Sequence, residues 1–300
     1  MDEQFCDVGG GIRLCYDTFG DPADPPLLLI MGLGTQMVAW HGDFCGKLVD
    51  EGFRVIRFDN RDIGRSTHLD GAPTPTLRQL LVRRPPAAYR LEDMAGDTAG
   101  LLYGLGISAA HIVGASMGGM IAQTLAATRP ERVLSLTSIM STTGNRRVGQ
   151  PAWRVMPIFL KQAPRDRDAF IDHTELLFKA IGSSGIQRDD AELREVAGLM
   201  YDRGLDPGGT SRQLAAIIAS GNRTPALRRI TAPTVVIHGT ADRLVRPSGG
   251  RATVRAIPGA KLVKVDGMGH DLPRAAWDQI VAAIVENARR AGFSRSRAAA

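Results

Sequence analysis

The stretch "AHIVGASMGGMIAQ", Ala110–Gln123, decides how the rest of the chain is read. His111, Ile112 and Val113 form an apolar run of strand type, and an apolar helix is expected to start near Met117. Three glycines and one serine crowd the junction. A serine hydroxyl is a poor nucleophile at neutral pH; it needs a base within hydrogen-bond reach and a backbone that holds its oxygen outward. A sharp turn from strand to helix does the second. Such a turn brings the residues two before and two after the serine together, so both positions want glycine. Gly114-Ala115-Ser116-Met117-Gly118 meets that requirement as a G-x-S-x-G nucleophile elbow. Gly119 allows the helix to pack closely on the strand. The competing interpretation is an ordinary glycine-rich turn carrying an inert serine.

The start of that helix has a second use. Its free N–H groups and positive dipole end suit a developing oxyanion. Met117 N–H is the expected first donor. Met31-Gly32-Leu33-Gly34, just after the "LLLI" strand, offers the second, expected at Leu33 N–H.

Serine needs a base and an acid to orient it, expected in the order Ser, Asp, His at later strand ends. "TVVIHGTADRLVRP" offers Asp242 and "KLVKVDGMGHDLP" offers His270. His270 would take the serine proton and return it to the leaving group, while Asp242 holds the imidazole in the right tautomer. Asp266 is the alternative acid. His238 reads as a satisfied structural histidine, and Asp271 as a solvated or capping carboxylate. His41, His68, His111 and His173 have no partner motif. The polar run from Asp59 to Ser66 is expected to tie loops together by charge-assisted hydrogen bonds.

Outward from the elbow, strands and helices alternate. A hairpin is expected over residues 3–19, then strands "LLLIM" and "RVIRF", with a helix from about Trp40 to Glu51. Residues 67–90 read as proline-rich loops around a short "LRQLL" helix, a candidate lid. A helix follows at 91–105, then the elbow and the strand "VLSLTSIM". Strands then disappear. Four helices are expected near 151–162, 167–181, 189–203 and 208–219. "TVVIHG", a helix near 249–256, "KLVKV" and a helix from about Pro273 to Arg290 restore the alternation. This pattern implies a mostly parallel sheet with helices on both faces. Residues 1–140 and 230–300 form the expected core domain, and 141–229 a helical cap. Met140, Met156, Phe159 and Leu160 are candidate pocket lining beneath it.

Bulk properties exclude several classes. The 300 residues are 44% hydrophobic and 23% charged, with a formal charge of +6. The arginines are scattered, with no interleaved aromatics, so nucleic acid is not an expected partner. The N-terminus lacks a secretory pattern and no apolar run could span a bilayer, so a cytoplasmic protein away from membranes is expected. Cys6, Cys15 and Cys45 read as reduced thiols, a Cys6–Cys15 bridge being the alternative, and no Cys/His spacing suggests zinc. The basic end, "RRAGFSRSRAAA", reads as a frayed tail.

Taken in order, "LLLIMGLG", "VIRFDNRDIGRS", "HIVGASMGGMIAQ", "PTVVIHGTAD" and "DGMGHDLP" resemble the α/β-hydrolase superfamily. Within it the chain resembles bacterial carboxylesterases of the aclacinomycin-methylesterase-like group. The resemblance implies an α/β-hydrolase fold of eight strands with a helical cap, a Ser116–Asp242–His270 triad, an oxyanion hole from Leu33 and Met117, and no cofactor. Many relatives carry His-Gly where this chain has Met31-Gly32. Serine rather than aspartate at the elbow separates the chain from haloalkane dehalogenases and epoxide hydrolases. The expected activity is a serine carboxylesterase acting on a small to medium ester, as a monomer or homodimer. Alternatives on the same triad are a C–C bond hydrolase and a polyketide-tailoring methylesterase. A non-catalytic ligand receptor is the alternative outside enzymes.

Overall fold

The computed structural model describes residues 2–82 and 85–294. Eight strands form one sheet: β1 Gln4–Gly9, β2 Ile12–Phe19, β3 Pro26–Ile30, β4 Arg54–Phe58, β5 Ala110–Ala115, β6 Val133–Ile139, β7 Thr234–Gly239 and β8 Lys261–Val265. Their spatial order is β1-β2-β4-β3-β5-β6-β7-β8. β1 and β2 form an antiparallel hairpin, β2 pairs antiparallel with β4, and every later pairing is parallel. The helices are α1 Gly42–Asp50, α2 Leu77–Leu81, α3 Leu91–Gly104, α4 Met117–Thr128, α5 Met156–Phe159, α6 Arg167–Ile181, α7 Asp190–Asp202, α8 Pro207–Ser220, α9 Thr224–Leu227, α10 Ser248–Ala256 and α11 Trp277–Arg289. Among the described residues no helix is long and apolar enough to cross a membrane.

The central strands are apolar on both faces because both faces are covered. Side chains alternate along each strand. In β3, Leu28 and Ile30 pack with Leu91, Leu102 and Ile121 of α3 and α4. Leu27 and Leu29 pack with Phe44 and Leu48 of α1 and Ile280 and Ile284 of α11. In β5, Ile112 faces the first layer and Val113 the second. The sheet thereby fixes the level at which each parallel strand ends, and the loops of the site start from that level.

Helices α5 to α9 lie between β6 and β7. Phe170, Ile171, Ala197 and Met200 pack against Met37 and Val38 beyond β3. Val155 and Ile181 pack with Leu244 beyond β7. Buried charge reinforces this seam. Arg212 forms a two-pronged bridge with Asp62 at 2.7 and 2.9 Å, and Arg203 pairs with Asp59. Gln36 Nε2 donates to the carbonyls of Met200 and Gly204 at 2.8 Å each.

Three details differ from the sequence reading. The helix expected over 151–162 is a 3-10 turn, Trp153–Val155, followed by the single turn α5. Pro157 lacks the N–H that would carry an α-helical ladder back to Trp153. The short α9, with Pro225 in its first turn and Asn222 Oδ1 accepting from Thr224 N–H at 3.1 Å, falls in a stretch read as loop. The basic end is not frayed from Arg289 onward. Phe293 stacks on Phe53 with ring centroids 4.1 Å apart, and Arg290 donates to the carbonyls of Thr234 and Gly259. Residues 295–300 of that stretch lie outside the described residues, as do residues 83 and 84 of the proline-rich excursion.

Candidate active site

Ser116 sits between β5 and α4 with φ 55° and ψ −117°, a conformation that L side chains rarely adopt. Its N–H donates to Ile139 O at 2.9 Å, and its carbonyl accepts from Ser141 Oγ at 2.8 Å. The flanking glycines are required by space. A Cβ on Gly114 would lie 2.2 Å from Gly118 O, and one on Gly118 would lie 2.0 Å from Ile30 O. The turn is therefore wedged against the neighbouring strand as well as against itself.

His270 and Asp242 reach Ser116 from the loops after β8 and β7. His270 Nε2 lies 2.9 Å from Ser116 Oγ, and His270 Nδ1 lies 2.8 Å from Asp242 Oδ2. Asp242 Oδ1 accepts from the N–H groups of Leu244 and Val245 at 2.9 and 2.8 Å. Burial alone would push this carboxyl up. His270 and His238 beside it overcome that and hold it down at about 2. A carboxylate facing Nδ1 must accept, so Nδ1 carries the proton and Nε2 is free to accept from the serine.

The N–H groups of Leu33 and Met117 make no hydrogen bond to protein among the described residues. Met117 is the first residue of α4, where no carbonyl one turn back is available. The Leu33 loop is held from three sides. Gly34 N–H donates to Gln213 Oε1 at 2.9 Å, Asn60 Nδ2 donates to Met31 O at 3.1 Å, and Gly32 lies against the Ser116 side chain. Met31 is buried with Trp40 and Ala115.

Some side chains behave differently from their sequence reading. Asp266 is exposed and accepts from Thr240 Oγ1, so it does not serve His270. Asp271 is not solvated: its Oδ1 accepts from Ser183 Oγ at 2.6 Å, and its Oδ2 is buried without a partner among the described residues. His238 is satisfied at one nitrogen only. Nε2 donates to Val245 O at 2.7 Å and lies 3.5 Å from Asp242 Oδ2, while Nδ1 is buried and unpartnered among the described residues. His111 is buried beside Ser135, and burial pushes it down to about 4, so it stays neutral. His41 caps α1, and His68 bridges Asp206 and Gly64 O. Asp62, His68 and Asp206 stand close enough to hold a cation. The Arg212 guanidinium already bonds both carboxylates, so that cluster is filled by its own charge. Cys6, Cys15 and Cys45 are free thiols, and burial pushes the last two up to about 12. Ser141, Ser183 and Gln213 escaped the sequence reading, since each acts across more than 20 residues of chain and carries no local signature.

Ser116 and His270 open into a cavity of about 1610 Å³. Met31, Met120 and Met140 line its floor, and Phe159, Phe178 and Ile217 come from the helices between β6 and β7. Met156 and Leu160 line it too. The chemistry within reach is serine nucleophilic attack with a histidine base.

Residues 25–273 match the family described as alpha/beta hydrolase fold. The chain belongs to that family. It is 29% identical to the rhodomycin D methylesterase of Streptomyces peucetius over 93% of this chain and 96% of that protein. It is 30% identical to the rhodomycin D methylesterase of Streptomyces sp. (strain C5), with the same coverage of each. Among solved structures it is similar to the enol-lactonase from Burkholderia xenovorans LB400, with a TM-score of 0.68 and 25% identity, covering 95% of this chain and 99% of that one. This α/β hydrolase therefore resembles enzymes that cleave esters or lactones along nearly its whole length.

Proposed function

We propose that this α/β hydrolase cleaves a carboxylic ester through an acyl-enzyme, with Ser116 as nucleophile, His270 as general base and Asp242 as orienting acid. The supporting observation is the unbroken hydrogen-bonded chain Ser116–His270–Asp242 at the floor of a large, mostly apolar cavity. Ser116 Oγ attacks the ester carbonyl as its proton passes to His270 Nε2. The resulting imidazolium is stabilised by Asp242, and the oxyanion by the N–H groups of Leu33 and Met117. His270 then protonates the leaving alkoxide. Water repeats the sequence on the acyl-enzyme, releasing the acid and restoring Ser116.

The substrate class we favour is a methyl ester on a large polycyclic polyketide, with residues 141–229 acting as a cap over it. The two methylesterase relatives support this, as does a cavity well above the ~300–1,000 Å³ that suffices for drug-sized ligands. The test is hydrolysis of p-nitrophenyl esters from acetate to long acyl chains, beside methyl esters of polycyclic aromatic acids, by wild type and Ser116→Ala. We expect serine-dependent turnover with the highest kcat/KM on the polycyclic esters. Ser116→Ala should fold normally and lose about 10⁴-fold or more in kcat. Equal turnover by wild type and the alanine variant would overturn the assignment.

A further inference from the structure

We propose that Ser183, in the segment leaving α6, is a positioning residue for His270, so that the helices over the cavity set the reactivity of the serine. This rests on the serine-hydrolase reading above.

The loop after β8 changes partners in mid-course. Up to Met268 it is anchored on the core: Gly267 N–H donates to Thr240 Oγ1 at 2.9 Å, and Met268 O accepts from Ala241 N–H at 2.9 Å. At Gly269 and His270 the partners lie in residues 181–183, and Trp277 Nε1 then returns the loop to the core by donating to Leu272 O at 2.8 Å. Gly269 N–H donates to Ser183 Oγ at 3.0 Å, and His270 N–H donates to Ile181 O at 2.9 Å. Ser183 Oγ in turn donates to Asp271 Oδ1 at 2.6 Å. One hydroxyl thus grips the residue before His270 and the residue after it.

The backbones meet too closely for side chains. A Cβ on Gly269 would lie 2.1 Å from the carbonyl carbon of Gly182, and one on Gly267 would lie 2.8 Å from the Cα of Gly185. Gly185 N–H donates to Gly267 O at 3.2 Å. Between core anchors at Met268 and Leu272, the N–H groups of Gly269 and His270 are held by the exit of α6, which sets the path of the backbone at the histidine. That helix lines the cavity through Phe170, Thr174 and Leu177. Ligand contact along α6 is thereby linked mechanically to the His270–Ser116 distance.

The experiment compares wild type, Ser183→Ala and Ser183→Thr by kcat and KM on a p-nitrophenyl ester. It adds the rate at which a small alkyl fluorophosphonate labels Ser116, read by mass spectrometry, and the thermal midpoint. A misplaced base slows both serine-dependent rates, so we expect Ser183→Ala to lower kcat and labelling together by about tenfold, with KM within about twofold. Ser183→Thr, which keeps the hydroxyl, should recover most of the loss. A folded Ser183→Ala protein that labels at the wild-type rate overturns the proposal, even if its midpoint has dropped. Asp271→Ala, which removes the acceptor of the Ser183 proton, provides the same two readouts should Ser183→Ala fail to fold. Absence of labelling at Ser116 in wild type overturns both this proposal and the triad reading; equal labelling in all variants overturns only this one.

Discussion

Asp242 is where burial and charge compete most openly. Its side chain is fully enclosed, a setting that ordinarily favours the neutral acid. The imidazoles of His270 and His238 reverse that preference, and the group is held at about 2 against an ordinary value of 3.8. A carboxyl held lower in the folded protein than in the unfolded chain stabilises the fold above pH 4. That contribution, on the order of 2 kcal/mol, fades as pH falls from about 4 toward about 2. The measurement is chemical denaturation of wild type and Asp242→Asn across that range, and the gap between them should narrow toward the acid end. At neutral pH the same variant should lose about 10⁴-fold in kcat, because the amide can present N–H to Nδ1 and so reverse the tautomer. A gap that stays constant with pH would mean that Asp242 is not depressed.

The central strands were legible because each carries its own apolar run, and the leading hairpin because glycines mark its turn. The grouping of Ser116, Asp242 and His270 was legible because the three fall just after three strand ends, and the structure places them in hydrogen-bond contact. What the sequence did not carry was pairing across distance. Gln213 reaches Gly34 over 179 residues, and Ser183 reaches Gly269 over 86. Neither serine nor glutamine has a local pattern that announces such a bond. The seam between α8 and the loop after β4 shows the same thing. His68 faces Asp206 with Nδ1 and Gly64 O with Nε2, both at 2.9 Å. Two acceptors require two ring protons, so His68 is an imidazolium here. Burial would lower it, but Asp206 and the Gly64 carbonyl raise it above its usual value. A histidine raised on folding stabilises the protein below its unfolded value near 6.5, and that share is lost as pH rises through the folded value. The thermal midpoint of wild type should therefore fall toward that of His68→Gln as pH rises from about 6 through the folded value. A difference that widens with pH would contradict the imidazolium assignment.

At the scale of the molecule, one sheet supplies the chemistry and a separate set of helices supplies the space above it. The loops after the strand ends carry Ser116, Asp242 and His270, and the cavity wall comes largely from α5 to α8. Away from the exit of α6, the wall can be altered without changing a hydrogen-bond partner of His270. Leu214 on α8 lines the cavity. Leu214→Trp would fill part of that volume, and Leu214 is not a partner in the hydrogen bonds of Ser116, His270 or Asp242. Loss of room is felt only by a ligand that needs it, since overpacking acts through contact. We therefore expect kcat/KM for large polycyclic methyl esters to drop by about tenfold, while that for p-nitrophenyl acetate stays within about twofold. Kinetics of the two substrates on one preparation decide the matter. Equal losses on both would mean that the substitution disturbs the triad, and no loss on either would mean that the ester occupies only the small space beside Ser116. The first outcome would couple the helices to catalysis beyond the Ser183 link, and the second would remove the cavity's size as a reason for a large substrate.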